Sequence, residues 1–147
     1  MTPEITIYGS DFASVSTLQQ HALGQRAHDA SGNEFVYVKG VTSGVVGASA
    51  TFDEAGTTAL VVSGTKGPVC VFGAILAANT FGWGQIYGLA TMLTAGDVAD
   101  NAEVNITATA GAVDDASTAR INNALFRAAR TGAGLVAAQI SYPTMAM

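Results

Sequence analysis

Apolar residues in most of this chain recur at every second position, which is the spacing of strands rather than helices. Residues 103–111, EVNITATAG, put Val104 and Ile106 on one face and Asn105 and Thr107 on the other. Residues 35–40, 57–64 and 135–143 are short β-branched or aromatic runs bounded by turn residues, and residues 67–78 are apolar almost throughout. About seven or eight short strands with glycine-rich turns predict an all-β, mainly antiparallel domain, a small sandwich or barrel.

Residues 116–134 leave two interpretations open. Ile121, Leu125 and Ala128 have helical spacing, and Asp115 or Ser117 could cap a helix. Asn122 and Asn123 are poor helix formers, so a strand followed by a loop fits equally well. The pattern therefore predicts at most one short helix.

The first residues differ from the rest of the chain. They are polar, with isolated apolar residues at Ile5, Ile7, Tyr8 and Phe12. Such a segment cannot fold alone, so it either lies on a neighbouring surface or frays. We predict an extended N-terminal arm over residues 1–21 and a single β domain over residues 22–147.

The stretch FGWGQIYGLATM, residues 81–92, is one residue off a dinucleotide-binding fingerprint. A phosphate loop needs a strand before its glycines and a helix after them. Gly88 would lie in the middle of that helix, and the bulky Trp83 would lie where the backbone must approach phosphate. A strand fits better, because Trp83 and Tyr87 then share one face and the glycines the other. Glycines on a strand face allow a close neighbour or a bend. Trp83, Tyr87 and Tyr142 are candidate contact residues, with core packing as the alternative.

Composition suggests that much of the surface contacts other protein. The chain has 147 residues, enough for one domain, and only 12% of them are charged. The average charged fraction of soluble globular domains is about 25%, so a free monomer of this composition has little charged surface to keep it in solution. The net charge is −5 and the 6 Lys and Arg residues form no basic stripe, so we expect no nucleic-acid partner.

No arrangement typical of catalysis or of a cofactor site is present in the sequence. His21 and His28 are too few and isolated for a metal site, and Asp97, Asp100 and Glu103 lack calcium-loop spacing. There is no G-x-S-x-G nucleophile motif, no secretory signal and no long apolar run. We expect no enzyme, no cofactor, no metal, no membrane partner and no small-molecule substrate.

Several separated segments, taken in order, resemble a known family. They are LGQRAHDASGNEFVYVKG, GPVCVFGAILAANTFGWGQIYGLA, ADNAEVNITATAGAVDD and ISYPTM. Together they are similar to the head decoration, or cement, proteins of tailed bacteriophages. The resemblance implies a mostly β domain, such as the β-tulip of lambda-type decoration proteins, and no catalysis.

The same resemblance implies partners and a place in the virion. It implies a homotrimer bound to the major capsid protein at local threefold positions on the outer capsid surface, after synthesis in the host bacterial cytoplasm. The arm residues Ile5, Ile7, Tyr8 and Phe12 would then grip the capsid, and Trp83, Tyr87 and Tyr142 would contact the capsid or a neighbouring subunit. The alternatives are another phage structural component, of the tail, neck or minor head, and a small β-barrel enzyme or ligand-binding protein.

Overall fold

The computed structural model describes the backbone of residues 5–6, 12–116 and 119–145, and the side chains of the latter two ranges. These residues form eleven strands in one sheet and no helix, which confirms the predicted all-β class. Most neighbouring strands are antiparallel, while β1–β2 and β7–β9 are parallel. The strands are β1 Ile5–Thr6, β2 Arg26–His28, β3 Glu34–Lys39, β4 Ser49–Phe52, β5 Thr58–Leu60, β6 Gly67–Phe72, β7 Phe81–Thr94, β8 Glu103–Ile106, β9 Val113–Asp114, β10 Arg120–Phe126 and β11 Gly134–Met145.

Strand β7 organises the sheet because its 14 residues are long enough to take different partners along its length. Its first half pairs with β3 and β6, and its second half pairs with β11. The partners change at a bulge, where Ile86 is the extra residue and Gly88 has a φ of 105°. The pairs β7–β11, β11–β10, β10–β8, β8–β9 and β9–β7 then close a ring, so this part is a small barrel.

Strand β6 lies between two hydrophobic cores, as its almost continuous apolar sequence predicts. Val69 and Val71 point into the barrel core, which also holds Phe126. Cys70 and Phe72 point the other way, into a second core beneath β3 and β4. All four side chains are buried, because successive residues of a strand face opposite sides and both sides are covered.

The glycines of β7 allow close packing on the side opposite Trp83, as the sequence predicts. A Cβ on Gly84 would lie 2.5 Å from the Sγ of Cys70, and a Cβ on Gly82 would clash with the side chain of Leu76. Cys70 and Leu76 therefore fill the space that a side chain on β7 would take. The close neighbour belongs to the same chain.

The buried thiol of Cys70 predicts a loss of stability at alkaline pH. Burial raises the pKa of Cys70 from an ordinary value of 9.0 to about 12. Between these pH values only the unfolded state loses the thiol proton. The contribution of the protonated thiol to the free energy of unfolding is therefore complete below about pH 9 and falls as the pH rises towards 12. We expect the free energy of unfolding in urea to fall more between about pH 8 and about pH 10.5 in the wild type than in Cys70→Ala.

The comparison with Cys70→Ala isolates the thiol, because every other ionisable group is present in both proteins. Equal losses of stability in the two proteins would mean that the thiol ionises in the folded state.

Residues 120–126 resolve the ambiguity of the 116–134 segment in favour of a strand. Ile121, Ala124 and Phe126 are buried, whereas Leu125 is exposed, so the structure has the strand, one of the two interpretations left open, and Ile121 and Leu125 do not share a face. The cause is a bulge of β10 against β8 around Asn123, whose φ is 62°, because four residues of β10 lie between its two pairs with β8, where β8 has one. These extra residues change which side chains point inward, and a strand with such a shift mimics helical spacing.

Candidate contact surface

One face of β7 is covered along its first half and open along its second. Trp83, Gln85, Tyr87 and Leu89 alternate along this face, as the period of two predicts. Trp83 and Gln85 are buried, whereas Tyr87 and Leu89 are exposed. The difference comes from what lies above each half of the strand.

Residues 12–23 form the cover over the first half. The ring of Phe12 lies 4.5 Å from that of Phe35 and directly over Gly73. Ser16 exchanges backbone hydrogen bonds of 3.0 and 2.8 Å with Phe81. The ring of His21 lies 5.2 Å from that of Trp83. The described part of the predicted arm therefore packs on its own domain.

The other predicted arm residues are only partly described. The backbone of Ile5 pairs in parallel with Ala27 at the edge of β2, and nothing is described of its side chain. Ile7 and Tyr8 lie outside the described residues. The sequence did not reveal that Phe12 joins the aromatic cluster, because Phe35 and Gly73 are far from it in the chain.

Trp83 packs inside its own chain. It is 2% exposed, and its ring lies 5.0 Å from the ring of Tyr37 in an edge-on arrangement. Phe35 and Ala27 complete this cluster. The placement fits the core-packing alternative for Trp83, whereas Tyr87 and Tyr142 remain available for contacts.

We define the open face as the uncovered side of the second half of β7 and of its neighbours β11 and β10. The register places Leu89 beside Gln139, and Gln139 beside Leu125. Exposed side chains of this face are Tyr87, Leu89 and Thr91 of β7, Leu135, Gln139, Ser141 and Tyr142 of β11, and Leu125 of β10. No charged residue occurs in residues 81–94 or 131–147, which include both β7 and β11. The two strands β7 and β11 therefore carry no charge on the open face, where leucine and tyrosine side chains alternate with the polar Thr91, Gln139 and Ser141, and Arg120 borders the face on β10.

Tyr142 stands out on this face because of its backbone. Its φ is 51°, an uncommon conformation for a bulky side chain. It lies where β11 bulges against Asn123, so that Ser141 and Tyr142 both point outward and Pro143 is buried. The bulge thus directs a ring outward that strict alternation would bury.

Side-chain contacts hold the Tyr142 ring in place. Its hydroxyl donates a hydrogen bond to the carboxylate of Glu34 on β3, and this bond raises the pKa of Tyr142. The ring lies 5.4 Å from that of Tyr87, tilted by 40°. Glu34 and Tyr87 are themselves partners across β3 and β7. The three residues form one ordered cluster at the edge of the open face.

A cavity of about 370 Å³ separates the covered and open halves. Three polar residues of its lining, Asp29, Asn33 and Gln85, form hydrogen bonds within the protein. Gln85 donates to the carbonyl oxygens of Tyr87 and Leu89, at 3.0 and 3.2 Å. Burial raises the pKa of Asp29, but hydrogen bonds from Asn33 and Ser31 outweigh that effect and lower it. These bonds stabilise the turn around Gly88 and the loop after β2.

The described ranges offer no cluster of three or more His, Cys, Asp and Glu side chains that could hold a metal ion. Within those ranges no helix is suited to crossing a membrane. Comparison with protein-family models and with curated proteins gives no match for this chain.

The sequence could have revealed part of the open face and missed the rest. Continuing the alternation from Trp83 and Tyr87 leads directly to Leu89. Leu125 and Leu135 join Leu89 only through the pairing of β7, β11 and β10. Glu34 is 108 residues from Tyr142 in the chain, and no local pattern connects them.

Proposed function

We propose that this chain is a structural protein of a tailed-phage virion, which decorates and stabilises the capsid. In this proposal it binds the outer surface of the major capsid protein lattice as a homotrimer at local threefold positions. The observation that carries the proposal is the open face, on which exposed leucine and tyrosine side chains lie along the paired strands β7 and β11, neither of which has a charged residue. Exposed apolar surface of this kind is typical of protein contact sites.

The proposed action is thermodynamic and needs no catalytic group. A protein that binds the expanded capsid lattice but not its precursor stabilises the expanded state by its binding free energy. Each copy would bridge neighbouring capsid subunits, and the binding free energies of all copies would add up over the particle. A rigid β domain suits this task, because little conformational entropy is lost when a preformed face binds.

The arm contributes a second contact in this proposal. Ile5 and Thr6 extend the sheet by pairing with the edge of β2, and the arm could pair with the edge of a capsid sheet in the same manner. Residues 12–23 cover Phe35, Tyr37 and Trp83, so removing them would disturb the fold as well as the contact. A deletion that ends at residue 11 keeps this cover and removes only the two-residue edge strand β1 from the described fold, so thermal melts must accompany its binding measurement.

We expect deletion of residues 1–11 to weaken capsid binding at least about a hundredfold. The deletion removes Ile5, Ile7 and Tyr8, and burying such side chains contributes about 1.5 kcal/mol or more each. Binding is measured by titrating purified protein onto capsids of the encoding virus made without it, followed by sedimentation. Deletion of residues 1–4, which keeps these three side chains, is the matched control and should bind like the wild type.

Three results would count against the proposal. Wild-type affinity after deletion of residues 1–11 would remove the arm from the capsid contact. A copy number in purified virions far below that of the major capsid protein would favour a tail, neck or minor head component. Absence from virions would remove the structural role and favour the ligand-binding alternative.

A further inference from the structure

The cavity of about 370 Å³ between the covered and open halves combines apolar walls with a single charge. Its walls are mainly aromatic and aliphatic, and they include the neighbouring rings of Phe12 and Phe35. Asp29 is the one charged residue among those that line it, so no lysine or arginine of the lining neutralises it there. Ligand pockets span about 300 to about 1,000 Å³, so this volume suits a small molecule or one side chain.

Gln85 supplies an unpartnered acceptor to this cavity. Its Nε2 donates to the carbonyl oxygens of Tyr87 and Leu89, so both amide hydrogens are used and the orientation of the amide is set. Its Oε1 accepts no hydrogen bond from any residue that the structure describes. Gln85 is only 3% exposed, and the cavity is the open space that it lines. A nearly buried amide oxygen of this kind requires a donor that the described chain does not supply.

Asp29 adds a negative charge at the same cavity. One carboxylate oxygen accepts hydrogen bonds from the backbone amides of Ser31 and Asn33, and the other accepts one from the Asn33 side chain. Burial raises the pKa of Asp29, but these bonds and nearby His28 lower it overall, so the carboxylate is charged at neutral pH. The first oxygen has both of its lone pairs engaged, whereas the second has one lone pair left.

We propose that this cavity binds a primary ammonium group on an aliphatic stem, with Asp29 and Gln85 as its polar contacts. The stem lies against the apolar walls, and aromatic rings such as Phe12 and Phe35 attract a cation as well. An ammonium fits better than a guanidinium, because the planar fork of arginine pairs with two free carboxylate oxygens and Asp29 has only one. A lysine side chain of a bound protein and a free alkylamine share this chemistry. Because either source satisfies the cavity, the proposed function is not required.

The test is a titration of the full isotope-labelled chain with n-butylammonium, followed through its amide signals in NMR spectra. Amides of residues 29–33 and 85–91 should shift along one saturable curve, with half-saturation at about 1 to 30 mM for a ligand of this size. n-Butanol is the neutral probe with the same stem. It should bind at least about tenfold more weakly, because charge-assisted hydrogen bonds are the stronger ones.

Asp29→Asn should weaken n-butylammonium binding at least about tenfold, because it removes the charge and keeps the shape of the side chain. Asp53→Asn is the matched control, since Asp53 accepts a similar pair of backbone hydrogen bonds, from Ala55 and Thr57, in an exposed turn outside the cavity. It removes the same charge from the chain and should bind like the wild type. Val46→Trp, at a wall residue that is 39% exposed, should abolish binding by filling the cavity while both acceptors stay in place.

Three results would overturn the inference. They are equal binding of n-butanol and n-butylammonium, no saturable shift up to about 100 mM, and equal weakening by Asp29→Asn and Asp53→Asn. Thermal melts show whether each variant is folded. If Asp29→Asn does not fold, the comparison with n-butanol and the Val46→Trp protein decide.

The source of the ammonium is distinguished with Nα-acetyl-lysine N-methylamide, which carries the same ammonium group on a peptide backbone. Binding as tight as that of n-butylammonium assigns the cavity to a lysine of a protein partner. Binding at least about tenfold weaker assigns it to a free amine, because the mouth of the cavity then excludes a peptide.

Discussion

Replacing Gly40 by alanine is expected to destabilise the protein by about 3 kcal/mol or more, which is a large fraction of the total stability of a typical domain. An added Cβ would lie 2.5 Å from the carbonyl oxygen of Leu76 and would also clash with that of Ala77. Both obstacles are backbone atoms, which cannot rotate away. The loop after β6 would have to move, and Leu76, which is fully buried in the second core, would move with it.

Two hydrogen bonds would be strained by the same movement. Gly40 donates to Thr80 at 2.8 Å, and Val41 donates to Leu76 at 2.9 Å. Gly96→Ala is the matched control, because no atom lies within 4 Å of its added Cβ and its backbone is not left-handed. We expect that control to change the free energy of unfolding by less than about 1 kcal/mol. Urea unfolding followed by circular dichroism measures the free energy of unfolding of both variants. If Gly40→Ala is as stable as Gly96→Ala, the close approach of Gly40 to the backbone of Leu76 and Ala77 is contradicted.

Replacing Trp83 by alanine is expected to lower the free energy of unfolding by about 3–5 kcal/mol. The side chain fills the cluster formed by Phe35 and Tyr37 beneath residues 12–23, so its removal leaves a cavity and weakens the cover as well. Proteolysis should then cut within residues 12–23 at lower protease concentrations than in the wild type. The measurement is urea unfolding followed by circular dichroism, together with mass spectrometry of the first proteolytic fragments.

Tyr87→Ala is the control for Trp83→Ala, since Tyr87 lies on the same face of the same strand but is 40% exposed. Tyr87→Ala should lower the free energy of unfolding by about 1 kcal/mol or less, mainly because the contact between Tyr87 and Tyr142 is lost. Similar losses for both variants would contradict the division into covered and open halves. The fluorescence of Trp83 gives an independent check, because a side chain buried within one chain keeps its emission maximum on dilution.

The sequence predicted those parts of the fold that depend on local alternation. The face shared by Trp83 and Tyr87, the glycine face of β7 and the double burial of β6 all follow from local sequence pattern. The β10 segment was ambiguous because a bulge around Asn123 interrupts the strand period of two, and such a bulge is set by the pairing with β8 rather than by local propensity.

The contact surface was less predictable than the fold, because it depends on pairing between strands that are distant in the chain. Tyr142 was named from the sequence as a candidate contact residue, with core packing as the alternative, but its partner Glu34 and its left-handed backbone arise from contacts between distant strands. The arm illustrates a further limit. Its polar sequence has no period, and only the positions of Phe35 and Gly73 decide that Phe12 packs on its own domain. Whether the arm also reaches a neighbour stays a prediction.

The position of β11 in the sheet has a consequence for how the protein is made. β11 is the latest of the described strands to leave the ribosome, yet it pairs with β6, β7 and β10. Until residue 145 has emerged, the barrel ring is open and the apolar side chains of β6, β7 and β10 lack their cover. Folding therefore completes after these strands have been synthesised, through contacts between distant parts of the chain that form slowly. During that interval the nascent chain exposes unpaired strand edges, so chaperone binding and synthesis rate should influence the yield of soluble protein more than the stability of the finished fold does.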